Sequence, residues 1–154
     1  MLRRFLFILT VTLLCNCARK VNVESKPELK FYFTTSQTWV GGHIGSGKGI
    51  NYQFFLSVAD SSYQFDSAWV NGYRLSLNRN SELSTNETLV LNAAAFFPSP
   101  EKNNANENSI QKNPELATPP VYTEAKVVVR FSLKEKKYFL FTNELKPLKG
   151  IYYR

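Results

Sequence analysis

Alternation of apolar and polar residues is the feature that most limits what this chain can fold into. After residue 28, large apolar side chains recur at every second position in several runs, and the run with Tyr52, Phe54 and Leu56 is typical. A period of two is that of a β-strand with one buried face, whereas an amphipathic helix has a period of 3.6. No stretch of ten or more residues keeps the helical period without Gly, Pro or a β-branched residue. The sequence therefore predicts an all-β domain.

The number and spacing of these runs favour an antiparallel β-sandwich, Ig-like in type, with about seven to eight strands; a small barrel is the alternative. Of 154 residues, 44% are hydrophobic, 14% are aromatic and 20% are charged, which is typical of a folded domain and not of a disordered chain. This length fits a single domain over 28–154. Pro98 to Pro120 holds five of the seven prolines, and we interpret it as a long mobile loop between two strands.

The dipeptide Asn71-Gly72 indicates a β-hairpin. A two-residue loop would divide the large apolar residues between the two faces of the hairpin. A three-residue loop from Val70 to Gly72 instead pairs Trp69 with Tyr73 and collects those residues on one face. The sequence thus predicts the three-residue loop.

Four other predictions concern single strands. Leu29, Phe31 and Phe33 should share one face of the first strand, and the alternation from Val121 to Leu133 should form one long strand. A tight turn at 134–137 should lead into Tyr138 to Thr142, which is apolar on both faces and should therefore lie at the centre of a sheet. The last residues, 150–153, should form a short edge strand.

The first sixteen residues have the pattern of a bacterial secretory signal. Two arginines precede a run from Phe5 to Leu14 that carries no charge and is too short for a bilayer, which needs about 20 apolar residues. Leu14-Cys15-Asn16-Cys17 then resembles the lipobox of bacterial lipoproteins, with Cys17 in the modified position. The alternatives are an ordinary signal peptide and an uncleaved anchor.

The lipobox resemblance implies a signal peptide over 1–16, a lipidated tether over 17–27 and palmitate-type acyl chains on Cys17. Because Ala18 and not Asp follows the cysteine, it also implies the periplasmic face of the outer membrane. A second likeness lies in the segments 37–42 and 65–72, which resemble those of a group of small bacterial lipoproteins. It covers about residues 37 to 75 and implies no activity, ligand or catalytic residue.

The stretch from Gly41 to Gly49 holds five of the seven glycines. It begins like a phosphate-binding loop, but Gly49 stands where a Ser or Thr would hold magnesium, and a strand follows instead of a helix, so no nucleotide is expected. We interpret it as a glycine-rich connection, with a ligand loop of Trp39, His43 and Lys48 as the alternative.

The two tryptophans carry separate predictions. Trp39 would either stack on a sugar ring or pack in the core. Trp69 should pack in the core with Phe65 and Leu75.

Few residues offer catalytic or metal chemistry. His43 is the only histidine and makes no metal site alone. A hydrolytic triad would need His43, a serine and either Asp60 or Asp66, without a nucleophile elbow to present the serine. The sequence therefore predicts no catalytic residue, no metal and no cofactor.

Basic residues concentrate at the end of the chain, where eight lie from Lys126 to Arg154 within a total net charge of +7. They would form solvated strand faces, or else contact anionic lipids or an acidic glycan. The overall prediction is a lipid-anchored, non-enzymatic envelope protein that binds or scaffolds. Its expected partners are the membrane, through the lipid, and an envelope protein or a glycan, but no nucleic acid. The alternatives are a glycan-binding module with exposed aromatics near Gly41–Gly49, and an accessory subunit of an envelope complex.

Overall fold

The fold is entirely β in the computed structural model, which describes residues 29–43, 45–57, 62–99 and 114–153. Those residues contain no helix long and apolar enough to cross a membrane. The strands are β1 (Phe31–Val40), β2 (Lys48–Ser57), β3 (Gln64–Val70), β4 (Tyr73–Ser76), β5 (Asn78–Arg79), β6 (Thr88–Phe97), β7 (Glu115–Leu116), β8 (Val127–Leu133), β9 (Lys136–Thr142) and β10 (Lys146–Tyr152).

Two five-stranded sheets form a sandwich, so the predicted β-sandwich is confirmed. We call the sheet with the order β10-β1-β2-β6-β5 sheet A and the sheet with the order β7-β4-β3-β8-β9 sheet B. The strand pairs are antiparallel except for β1 with β10, which is parallel. Eight strands have four residues or more, in line with the predicted number, and β5 and β7 add two residues each.

The main core lies between the sheets and follows the period-two pattern. Tyr52, Phe54 and Leu56 of β2 are at most 1% exposed, and the alternate residues of β6, β3 and β8 meet them from the same sheet and the opposite one. Burying a side chain of this size stabilises the fold by about 1.5–3 kcal/mol. The residues between them along β2 and β6 therefore face outward on sheet A.

Sheet B is buried on both faces. A second cluster on its outer side contains Trp69, Val128 and Phe139, covered by Val121 and partly by Ala117 and Ala125. The segment 117–125 thus forms a cover over the sheet. The predicted long strand begins only at Val127, and Ala125 belongs to this outer cluster.

The predicted loop over 98–120 was wrong in its last part. Glu115–Leu116 forms β7 and pairs with β4, with Leu116 opposite Tyr73. Residues 100–113 lie outside the described residues.

The predicted register of the β3–β4 hairpin was also wrong. Val70 pairs with Tyr73 and Trp69 with Arg74, so Asn71-Gly72 is a two-residue loop. Their φ angles of 50° and 83° are those of a type I′ turn, whose twist matches that of the flanking strands. The two-residue loop splits the apolar residues between faces, and it is stable because both faces of sheet B are covered.

Three other strand predictions had mixed outcomes. A register shift between Phe31 and Phe33 turns Phe33 away from the core, so these residues do not share a face. The β9 strand is buried on both faces but is the last strand of sheet B and not a central one. The predicted edge strand at the end of the chain is confirmed as β10 and begins at Lys146.

Candidate functional site

The predicted ligand loop is a compact turn between β1 and β2. The Gly41 amide donates to the Gly47 carbonyl (3.0 Å) and the Ser46 amide to the His43 carbonyl (3.0 Å). Gly45 and Gly47 have φ angles of 81° and 77°, which favour glycine.

Only two of the three predicted loop residues come together. Trp39 and Lys48 line a cleft of about 340 Å³, floored by apolar residues that include Val40, Ile50 and Phe97. His43 is exposed and is not among the residues that line this cleft. Within the described part of the chain, no group of three or more His, Cys, Asp or Glu side chains could hold a metal ion.

The carboxylate of Asp66 forms a salt bridge with Arg130. Arg130 Nε donates to both of its oxygens, at 2.7 and 3.0 Å, on the outer face of sheet B. The guanidinium groups of Arg130 and Arg74 lie 5.5 and 5.9 Å from the Trp69 ring centroid. This face is built from packed charged and aromatic groups.

The basic residues at the end of the chain are divided between the two sheets. Lys126, Arg130, Lys136 and Lys137 lie in or beside β8 and β9 of sheet B. Lys146 and Lys149 lie in β10 of sheet A. The two groups therefore belong to different sheets.

The outer face of sheet A carries a more ordered arrangement. Strand register places its outward residues in four parallel rows that cross β1, β2, β6 and, in one case, β5. We name them the phenylalanine row (Phe33, Phe55, Val90), the first amide row (Thr35, Gln53, Asn92, Asn78), the second amide row (Gln37, Asn51, Ala94) and the tryptophan row (Trp39, Gly49, Phe96).

A groove of about 340 Å³ runs over the two amide rows. Side chains from both rows line it, together with Tyr52 and Ala93, and none of the lining residues is charged. Primary amides present both donors and acceptors. The groove thus offers many neutral hydrogen-bonding groups on a rigid sheet.

Asn92 stands out within this groove. Its Oδ1 atom is buried and has no hydrogen-bond partner in the structure. A buried acceptor without a donor costs about 1–3 kcal/mol. Gln37, by contrast, donates from Nε2 to the Lys149 carbonyl (3.0 Å), which ties that end of the groove to β10.

Aromatic residues flank the pair of amide rows on both sides, farther along the strands. The Trp39 ring lies over Gly49, since a Cβ at Gly49 would come within 2.6 Å of three of its ring atoms. Phe96 stacks nearly parallel to the ring, with centroids 5.8 Å apart and 24° between the planes, and Tyr153 meets it edge-on at 6.3 Å. Trp39 is consequently half-buried, between the two environments that the sequence allowed.

At the opposite end, Phe33 and Phe55 stack with their ring centroids 4.1 Å apart. Phe33 is 45% exposed. It is six residues from Trp39 along β1, which corresponds to roughly 20 Å at the rise of a β-strand. The two amide rows therefore lie between aromatic residues that are separated by that length along β1.

Sequence reasoning found Trp39 but missed the amide rows. The signal was present, because Asn51 and Gln53 alternate with the core residues of β2. What was missing was the register that brings Gln53 beside Asn92 and Asn51 beside Ala94. A row that crosses strands depends on which residues of neighbouring strands lie opposite each other. The sequence of one strand alone does not show which residues of a distant strand will pair with it.

The chemistry of this face suits a hydroxyl-rich, uncharged ligand of extended shape. Amides can bind hydroxyl groups, and the aromatic surfaces can pack against C–H groups. Comparisons with family models, with curated proteins and with solved structures found no match to this chain.

Proposed function

We propose that this protein is a lipid-anchored bacterial envelope protein whose β-sandwich binds a neutral glycan, without catalysis, on the outer face of sheet A. The observation that carries the proposal is the placement of two amide rows between two aromatic rows. A sugar has polar edges and apolar C–H faces. The amide rows would bind the edges, and Trp39 and Phe33 would pack against the faces at either end.

The anchor belongs to the same proposal and is supported by the sequence. Residues 1–16 read as a signal peptide and Cys17 as the site of lipid attachment, on the periplasmic face of the outer membrane. Both positions lie outside the described residues. In this view the lipid fixes the protein at the membrane and the sandwich engages the glycan.

Binding of neutral polysaccharides tests the glycan part of the proposal. We expect the full chain, purified in detergent, to be retarded in native gels that contain hydroxyethylcellulose or glycol chitin. Trp39→Ala should weaken this binding about tenfold or more, equivalent to about 1.4 kcal/mol, because it removes the aromatic surface at one end. Tyr122→Ala is the matched control, since Tyr122 is 97% exposed and lies outside the groove.

Asn92→Ala separates a binding role from a structural one. Because it removes a buried acceptor that has no partner, it should leave the free energy of unfolding unchanged or raise it, while weakening binding. Asn86→Ala, an exposed amide outside the groove, should change neither. Failure of the wild type to bind any neutral polysaccharide would overturn the proposed function.

A further inference from the structure

We infer that the groove recognises the acetamido group of N-acetylated hexosamine glycans in preference to glycans that carry only hydroxyl groups. This inference rests on the proposed function and narrows the class of ligand. It is argued from the unpartnered acceptor on Asn92, from a gap at Ala94 and from the charge of the surroundings.

The donor that Asn92 lacks is the first argument. Its Oδ1 lies below the surface in the middle of the first amide row, between Gln53 and Asn78, so the amide turns toward the groove when this acceptor meets a ligand. An acetamido group supplies an N–H donor and, on the other side of the same planar unit, a carbonyl acceptor. Both can be satisfied together by one amide oxygen and a neighbouring amide NH₂. A hydroxyl also donates and accepts, but both of its hydrogen bonds meet at one oxygen, whereas those of an acetamido group lie on opposite sides of a planar unit.

The second argument is the gap at Ala94. The other two residues of the second amide row, Gln37 and Asn51, carry amide side chains, whereas Ala94 ends at a methyl group and is exposed. Ala94 lies two residues from Asn92 on β6 and directly opposite Asn51. A ligand methyl group placed there would pack against the Ala94 methyl and so be removed from contact with water. The acetamido methyl is such a group, and a sugar hydroxyl would not use the space.

Charge is the third argument. None of the groove's lining residues is charged, so a uronic acid or an amino sugar has no counter-ion within it. The nearest charged residue by register is Lys146, which lies opposite Thr35 on β10 and would repel the ammonium group of an unacetylated hexosamine. An acetylated hexosamine is neutral and avoids this repulsion.

The test compares three hexasaccharides with the same β-1,4 backbone in calorimetric titrations of the detergent-purified full chain. Chitohexaose carries acetamido groups, cellohexaose hydroxyl groups and the chitosan hexamer amines. We expect chitohexaose to bind at least tenfold more tightly than either of the others. Equal binding of chitohexaose and cellohexaose would overturn this inference and leave the proposed function standing. No binding of chitohexaose by a protein that another neutral polysaccharide still retards would do the same, whereas the proposed function falls only if no neutral polysaccharide binds.

Ala94→Gln provides the residue-level test. The longer side chain fills the gap, so chitohexaose affinity should fall about tenfold to the level of cellohexaose, whose own affinity should stay the same. Ser76→Gln, at an exposed position in sheet B, is the matched control and should alter neither. An unchanged preference for chitohexaose in Ala94→Gln would contradict the role of the gap.

Sedimentation with purified peptidoglycan distinguishes the source of the sugar. If the protein pellets with peptidoglycan and chitohexaose releases it, the acetamido sugars are those of the cell wall. If it binds chitohexaose but does not pellet, the ligand is another acetylated glycan. Either result supports acetamido recognition, while release by cellohexaose as effective as release by chitohexaose would contradict it.

Discussion

Trp39 and Trp69 show how similar side chains acquire different roles from their neighbours. Trp39 lies over Gly49, the one residue type that leaves room for its ring, and it is half-buried. Trp69 is 4% exposed and lies under Arg74 and Arg130. The predicted burial of Trp69 is confirmed, but its partners are Phe139 and Val128, not the predicted Phe65 and Leu75. Residue type alone predicts burial better than it predicts neighbours.

Burial of Tyr52 in the core makes the stability of the fold depend on pH in the alkaline range. Its side chain is 1% exposed, and burial raises the pKa of its phenol, with Tyr73 adding to the effect. Above the ordinary tyrosine pKa of about 10, the unfolded chain loses this proton while the folded chain keeps it. The folded state then binds more protons than the unfolded state. Stability therefore falls as pH rises through this window, by at most about 1.4 kcal/mol per pH unit for this group.

We expect Tyr52→Phe to reduce that alkaline loss. In urea unfolding, wild type and Tyr52→Phe should differ by a constant amount below about pH 9, and the difference should shift in favour of the variant above about pH 10. Tyr122→Phe, at a side chain that is 97% exposed, is the control for removal of a phenol hydroxyl from the surface. Parallel pH curves for wild type and Tyr52→Phe would contradict this assignment.

At the scale of elements, two hairpins share one turn geometry but not one turn chemistry. Asn71-Gly72 connects β3 and β4, and Lys134-Glu135 connects β8 and β9, in each case through two residues with positive φ. Asn-Gly is the pair that a type I′ turn prefers, whereas Lys and Glu have a Cβ in a left-handed conformation. The β8–β9 hairpin thus carries backbone strain that the β3–β4 hairpin avoids.

Replacing Lys134-Glu135 by Asn-Gly should relieve this strain. We expect the double variant to unfold at a higher urea concentration, with a gain of about 1 kcal/mol, because glycine offsets part of the relief through its own entropy. Gly72→Ala is the reverse comparison. A Cβ there meets nothing closer than Leu116 Cδ2 at 4.0 Å, so its expected loss of about 1–2 kcal/mol comes from the backbone. A stabilised Gly72→Ala or a destabilised Asn-Gly variant would contradict this account.

The same hairpins show where sequence reasoning stopped. It recognised Asn71-Gly72 as a turn but collected the large apolar residues of the hairpin on one face. The missing fact was the cover formed by 117–125, because Val121 was assigned to the long strand and Ala117 to the loop. The outer face of sheet B is buried because an irregular segment, distant in sequence, covers it. The two-residue register of the hairpin is stable only with that cover in place.

At the scale of the whole molecule, the sandwich is closed by contacts between distant parts of the chain. The β1 and β10 strands pair in parallel, and Thr34 Oγ1 donates to the Glu144 carbonyl beside them. The period-two pattern predicted the sandwich because each strand reports its own buried face. The groove requires the amide residues of β1, β2 and β6 to lie opposite one another. This alignment is set by the burial of the inner faces of all three strands in the core.

The proposed lipid anchor at Cys17 and the groove should be separable by mutation. In cells fed an alkyne-labelled fatty acid, the wild-type protein should carry label and sediment with membranes, because two or more acyl chains give stable attachment. Cys17→Ala should lose the label and the membrane attachment, while Cys15→Ala, the matched control within the signal, should keep both. Persistent labelling of Cys17→Ala would contradict the assignment of Cys17. Since the groove lies on sheet A, purified Cys17→Ala should bind chitohexaose with the affinity of the wild type, and this holds only if the sandwich binds independently of its anchor.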